Sequence, residues 1–141
     1  MKLQPAYILE TCLYARDLKA AEAFYTRVLG LELFSRHEGR HVFFRCGHGM
    51  FLIFNPDQTL QPEGEIPNHG AMGPGHVAFA IPGEEVEQWK DHLKTHQIEI
   101  EAEVTWPSGG RSIYFRDPEG NCIELATPQT WPQSNAKNKQ G

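Results

Sequence analysis

One repeated pattern restricts the fold of this chain more than any other feature. The stretch Val42-Phe43-Phe44-Arg45 precedes a glycine turn, and it returns 71 positions later as Ile113-Tyr114-Phe115-Arg116 ahead of Asp117-Pro118-Glu119-Gly120. Around each copy the same order of elements can be read. In the first half, Tyr7–Ala15 alternates as a strand, with Leu9, Leu13 and Ala15 on one face and Glu10, Cys12 and Tyr14 on the other. Asp17 then suits an N-cap, Leu18, Ala21, Val28 and Leu29 with Phe24 or Tyr25 form a helical stripe, and Gly30 stops the helix. Three short strands follow: LELFSR, HVFFRC and MFLIFN.

The second half repeats this order. GHVAFAI is the strand, a helix from about Gly83 buries Val86, Trp89 and Leu93, and IEIEAEV, RSIYFRD and NCIEL are the three strands. A single unit of this kind leaves one sheet face bare, so two must share a core. The expected fold is α+β, two tandem βαβββ modules whose sheets form a barrel-like cup with the helices outside. A single domain, residues 1–130, holds module one at about 7–56, a Pro- and Gly-rich linker or lid at 57–74, and module two at 75–128. A polar, disordered tail, 131–141, follows.

Composition narrows the partners. A net charge of −5 and a pI near 5.8 provide no basic field for a phosphate backbone, so nucleic acid is excluded and a small organic molecule is expected. Cys12, Cys46 and Cys122 are too few and too far apart for a zinc C-x-x-C pair or a secreted disulfide framework. No apolar run approaches the roughly 20 residues of a membrane span. These features together predict a cytoplasmic protein with no membrane partner.

The duplication also locates candidate chemistry. Aligning the first strands pairs Glu10 with His76, and aligning Gly49 with Gly120 without a gap pairs Ile53 with Glu124. Three of these four equivalent places carry metal-ligating side chains, on the face opposite the helix-covering residues. One imidazole and two carboxylates that leave positions open suit a catalytic metal better than a closed structural one. Glu10, His76 and Glu124 are the metal candidates, with Glu10 and Glu124 also the catalytic candidates. Arg45, Tyr114 and Arg116 are placed to bind substrate, the arginines through a bidentate contact to a carboxylate or phosphonate. His48 and His69, in Gly-rich loops, are candidate general bases.

The segments LYARDLKAAEAFYTRVLGLEL, GHVAFAI and FRDPEGNCIEL, in that order, resemble the vicinal oxygen chelate superfamily, the glyoxalase, bleomycin-resistance and extradiol-dioxygenase group. The resemblance covers nearly all of residues 7–128 and implies paired modules around a divalent ion, Fe, Mn, Zn, Ni or Mg. By position His76 and Glu124 match the family's second-module ligands, whereas Glu10 stands where histidine is usual and Ile53 where glyoxalases carry a carboxylate. A carboxylate in place of the imidazole lowers the charge of the centre, weakens it as a Lewis acid and favours the harder ions. The implied activity is a divalent-metal-dependent lyase, isomerase or dioxygenase that stabilises an enolate or oxyanion of a small oxygenated substrate. The alternative is a metal-free drug-binding protein of the bleomycin-resistance type, with Phe44, Phe51 and Tyr114 as walls. The resemblance also implies a homodimer in which Glu10 comes from one subunit and His76 with Glu124 from the other.

Overall fold

The computed structural model describes residues 2–62 and 64–132. Apart from Trp131 and Pro132, the tail expected to be disordered lies outside the described residues. The chain divides into two compact units: the first runs through Gly75 and also takes in Asp117–Asn121, and the second holds His76–Arg116 and the chain from Cys122 onward. Each contains one four-stranded sheet, and both have the anticipated βαβββ order.

In the first unit the elements are β1 (Glu10–Tyr14), α1 (Leu18–Arg27), β2 (Glu32–His37), β3 (His41–Cys46), β4 (Gly49–Phe54) and a single helical turn, α2 (Pro56–Thr59). The sheet order is β1-β4-β3-β2, parallel between β1 and β4 and antiparallel elsewhere. β1 is shorter than expected, because β4 begins at Gly49 and the Met50 N–H reaches only as far as the Leu9 carbonyl, leaving Tyr7 and Ile8 no ladder partner there. Asp17 caps α1 as anticipated, its Oδ1 accepting the Ala20 N–H at 3.0 Å. The helix buries Ala21, Phe24 and Tyr25. Tyr25, fully buried, lies 5.7 Å from Phe44 and 5.0 Å from Phe51 between ring centroids. Burying side chains of this size contributes about 1.5–3 kcal/mol each. Phe44 and Phe51 therefore belong to the helix-facing core and are not walls of a binding site.

The Asp117–Asn121 turn is polar but buried, and it works as a hub of this first unit. Asp117 Oδ1 accepts the N–H groups of Glu119 and Asn121, and Oδ2 accepts Tyr25 Oη–H at 2.6 Å and Asn121 Nδ2 at 3.0 Å. Asn121 Oδ1 accepts the Gly75 N–H at 2.7 Å, and its amide donates to the Tyr14 carbonyl at 3.1 Å. A buried carboxylate is tolerable here because each oxygen has donors. The segment expected to be a linker or lid is also tied down: His69 N–H donates to the Thr59 carbonyl, and the Tyr14 hydroxyl lies 2.6 Å from His69 Nδ1.

The second unit comprises β5 (His76–Ala80), α3 (Val86–Thr95), β6 (Ala102–Thr105), β7 (Arg111–Arg116) and β8 (Cys122–Ala126), in sheet order β5-β8-β7-β6. Only the last part of IEIEAEV joins the sheet. α3 buries Val86 and Leu93, while Trp89 is half-buried. Two exposed ion pairs, Glu87–Arg111 at 3.0 Å and Lys90–Glu103 at 3.0 Å, lie between α3 and the strands. Among the described residues no helix is long and apolar enough to cross a membrane.

The register corrects one pairing. His76 faces Cys122 and Ala78 faces Glu124; in the first unit Glu10 faces Met50 and Cys12 faces Leu52. The equivalent of Glu124 is therefore Leu52. Ile53 is fully buried and faces Leu13 and Val42, its counterpart being Leu125. Between the paired Arg45 and Met50 lie four residues, whereas between the paired Arg116 and Cys122 lie five, and this one extra residue displaces a gapless alignment by one position and so onto the opposite sheet face.

Candidate metal centre

β5 and β8 lie side by side in parallel, which brings the side chains of His76 and Glu124 together: His76 Nε2 is 3.2 Å from Glu124 Oε1. The His76 side chain is half exposed and that of Glu124 is buried. The other ring nitrogen, Nδ1, lies 3.0 Å from the Cys122 carbonyl oxygen. A carbonyl can only accept, so this contact assigns the ring hydrogen to Nδ1 and leaves Nε2 as the nitrogen that faces the carboxylate. A lone pair aimed at a carboxylate is repulsive unless positive charge, a proton or a cation, lies between them.

Glu124 is held from behind. Ser112 Oγ donates to Glu124 Oε2 at 2.5 Å, and Trp106 Nε1 donates to Ser112 Oγ at 2.8 Å. Ser112 is buried, so this oxygen is already satisfied and Oε1 is the one turned to His76. Tyr114, opposite Glu124 on β7, stacks on the His76 ring with centroids 6.3 Å apart. Burial first, then the Glu124 charge and hydrogen bond, push the Tyr114 hydroxyl above the ordinary tyrosine value, so it keeps its proton at neutral pH.

These residues fit a divalent ion. Two ligands bonded at about 2.0–2.2 Å to one ion, at angles between a right angle and the tetrahedral angle, stand about 2.8–3.6 Å apart, and the 3.2 Å His76–Glu124 spacing falls in that range. The imidazole whose second nitrogen binds a backbone carbonyl, and the carboxylate whose second oxygen takes a hydroxyl, have the outer support that metal ligands need. Among the described residues no three His, Cys, Asp or Glu side chains gather closely enough to hold an ion within one chain.

The remaining candidates are dispersed. Glu10 opens β1 and is exposed, sharing its sheet face with Cys12 and Tyr14. Arg45 is exposed and lies 4.6 Å over the Phe34 ring. The Arg116 fork is bidentate to Glu101, at 2.8 and 3.3 Å, so it already has a carboxylate. His48 is exposed, whereas His69 is joined to Tyr14. The Tyr14 hydroxyl is pushed up to about 12 by burial and then by the Cys12 thiol beside it. All three cysteines are free. Trp106 was not legible as a site residue, since its link to Ser112 depends on the turn between β6 and β7.

The paired βαβββ units, with an imidazole and a carboxylate on adjacent parallel strands of the second, define a glyoxalase-type protein. The chain belongs to the Glyoxalase/Bleomycin resistance protein/Dioxygenase superfamily, whose model matches residues 7–125. It is 32% identical to the metallothiol transferase FosB of Staphylococcus epidermidis over 118 residues, 82% of this chain and 78% of the relative. It is 29% identical to the fosfomycin resistance protein FosX of Listeria monocytogenes, over 82% of this chain and 77% of the relative. The crystal structure of a lactoylglutathione lyase from Agrobacterium tumefaciens superposes with a TM-score of 0.88 at 42% identity, covering 92% of this chain and 98% of that one. Two of these relatives carry enzyme names, a transferase and a lyase.

Proposed function

We propose that the protein is a divalent-metal-dependent enzyme acting on a small, thiol-linked oxygenated substrate, a lyase, isomerase or transferase rather than an oxygen-consuming dioxygenase. The observation that carries this reading is the 3.2 Å approach of His76 Nε2 to Glu124 Oε1 with each group's other polar atom already bonded. The names of two relatives, a lactoylglutathione lyase and a metallothiol transferase, support the thiol chemistry.

His76 and Glu124 would hold the ion, with Glu10 as third ligand from a second copy of the chain in a homodimer. Exposed Tyr7, Ile8 and Leu9 beside Glu10 support such an association, since a run of exposed large side chains marks an interaction surface. When bound, the ion supplies Lewis-acid stabilisation of negative charge developing on substrate oxygen. Ser112 and Trp106 fix the Glu124 carboxylate, so little reorganisation is needed as charge develops. The Tyr114 hydroxyl, protonated at neutral pH, donates to Glu124 and would have to turn from it to reach a substrate oxygen. Arg45, without a carboxylate within 4.0 Å among the described residues, remains available to a substrate anion, whereas Arg116 must first leave Glu101.

The reading is tested on metal-supplemented protein with methylglyoxal and glutathione, and with fosfomycin and a panel of thiols, alongside oxygen uptake with catechols. Thiol-dependent turnover with no oxygen uptake is expected. Oxygen uptake with a catechol, or no turnover with any thiol, would contradict it.

A further inference from the structure

A cavity of about 560 Å³ opens in the first unit between the β2–β3 hairpin and residues 58–61 and 64–69, lined among others by His37, Arg40, Thr59, Pro67 and His69. Its walls are preformed. Asn55 Nδ2 donates to the Gly39 carbonyl at 3.1 Å and the Asn55 N–H to the Arg40 carbonyl at 2.8 Å, which clamps the hairpin to the start of α2. The opposite wall is fixed by His69 N–H to the Thr59 carbonyl and by the Tyr14–His69 contact.

Among these lining residues one polar atom is buried without a partner, Arg40 Nη1. A guanidinium nitrogen is only ever a donor, so Arg40 Nη1 lacks an acceptor. The neighbouring arginines differ, for Arg16 and Arg36 are engaged by Asp57 and Glu22 at 3.0 and 2.9 Å. No carboxylate lies within 4.0 Å of Arg40 among the described residues; the group sits 5.7 Å over the Phe54 ring instead. Glu38 and Glu65 also line the cavity, but both are exposed, so solvent screens their repulsion of an anion.

We propose that this cavity binds a small organic oxyanion, a carboxylate or phosphonate, anchored by Arg40. An anion would give Arg40 Nη1 the acceptor, and the guanidinium the counter-charge, that no described residue supplies, in the forked geometry that suits a carboxylate or phosphonate. The site is built wholly from the first unit and does not depend on His76 or Glu124.

The test is a ¹H–¹⁵N NMR titration of the full chain at constant ionic strength with benzoate and with phenylphosphonate, and with benzamide as the uncharged isostere. Saturable shifts confined to residues 37–41 and 58–69 are expected for at least one anion and not for benzamide. Arg40→Gln should weaken binding about tenfold or more, Arg40→Lys should recover part of it, and His76→Ala should leave it unchanged. No saturation with either anion, equal binding of benzamide, or full affinity in folded Arg40→Gln would overturn the proposal. Should Arg40→Gln fail to fold, the comparison of each anion with benzamide on the unaltered chain still decides.

Discussion

Replacing Ser112 by alanine isolates the support behind the candidate centre. The hydroxyl both donates to buried Glu124 Oε2 and accepts from Trp106 Nε1, so its removal strands a carboxylate oxygen and an indole N–H together. Loss of a hydrogen bond to a buried charge costs about 1.5–3 kcal/mol and the neutral one about 0.5–1.5 kcal/mol, so Ser112→Ala should cost roughly 2–4 kcal/mol. For a domain of this size that is a fall in Tm of roughly 6–20 °C. Urea denaturation followed by circular dichroism, with chelator present, measures it without any contribution from metal. Trp106→Phe should cost less, and Ser112→Ala/Trp106→Phe little more than Ser112→Ala alone, because both act through one hydroxyl. A Ser112→Ala change within 0.5 kcal/mol of zero would refute the claim that this bond holds Glu124.

Three further outcomes are expected. Tyr25→Phe removes the 2.6 Å bond to Asp117 and should cost about 1.5–3 kcal/mol. Burial and Asp117 raise the folded Tyr25 hydroxyl above its unfolded value of 10.0, so its contribution is complete below pH 10 and declines as pH rises beyond it; melts between pH 8 and 11 should show this slope, and Tyr25→Phe should flatten it. Gly110→Ala places a Cβ 2.3 Å from the Thr130 backbone nitrogen and should lower stability by about 1–3 kcal/mol, whereas Gly75→Ala meets Leu13 Cδ2 at 2.7 Å, a side-chain end that can turn aside, and should cost less. Ile53→Glu should unfold the protein and Leu52→Glu should be better tolerated, if Leu52 is the position equivalent to Glu124; melting curves that reverse this order would contradict the register.

The module order was legible because each half alternates at period two, switches to a helical stripe and returns to alternation, and these periods follow from backbone geometry. Asp17, Val86 and Leu93 fell where the pattern places them. Matching Gly49 with Gly120 sets Ile53 against Glu124, one position beyond Leu52. Gly49 already pairs in β4, whereas Gly120 sits in the turn with φ 96°, so the conformational counterpart of Gly120 is Gly47, at φ 56°. Turn lengths are set by local conformation, which residue identity alone specifies poorly, and one residue is enough to invert a strand's faces. In the site, the facing of His76 and Glu124 could be anticipated from the duplication. The Trp106–Ser112 bond, the Tyr14–His69 contact and the commitment of Arg116 to Glu101 could not, because each depends on how a turn or long side chain folds back.

The central claim is that His76 and Glu124 hold a divalent ion. It is tested most directly by the metal content of protein stripped with chelator, reconstituted separately with Mn, Fe(II), Zn, Ni and Mg, dialysed, and analysed by inductively coupled plasma mass spectrometry. With at least one of these ions, about one per chain should be retained, and His76→Ala or Glu124→Gln should reduce retention sharply in variants that keep the native circular dichroism spectrum. A stoichiometry near zero with all five, or full retention in both variants, would contradict the account.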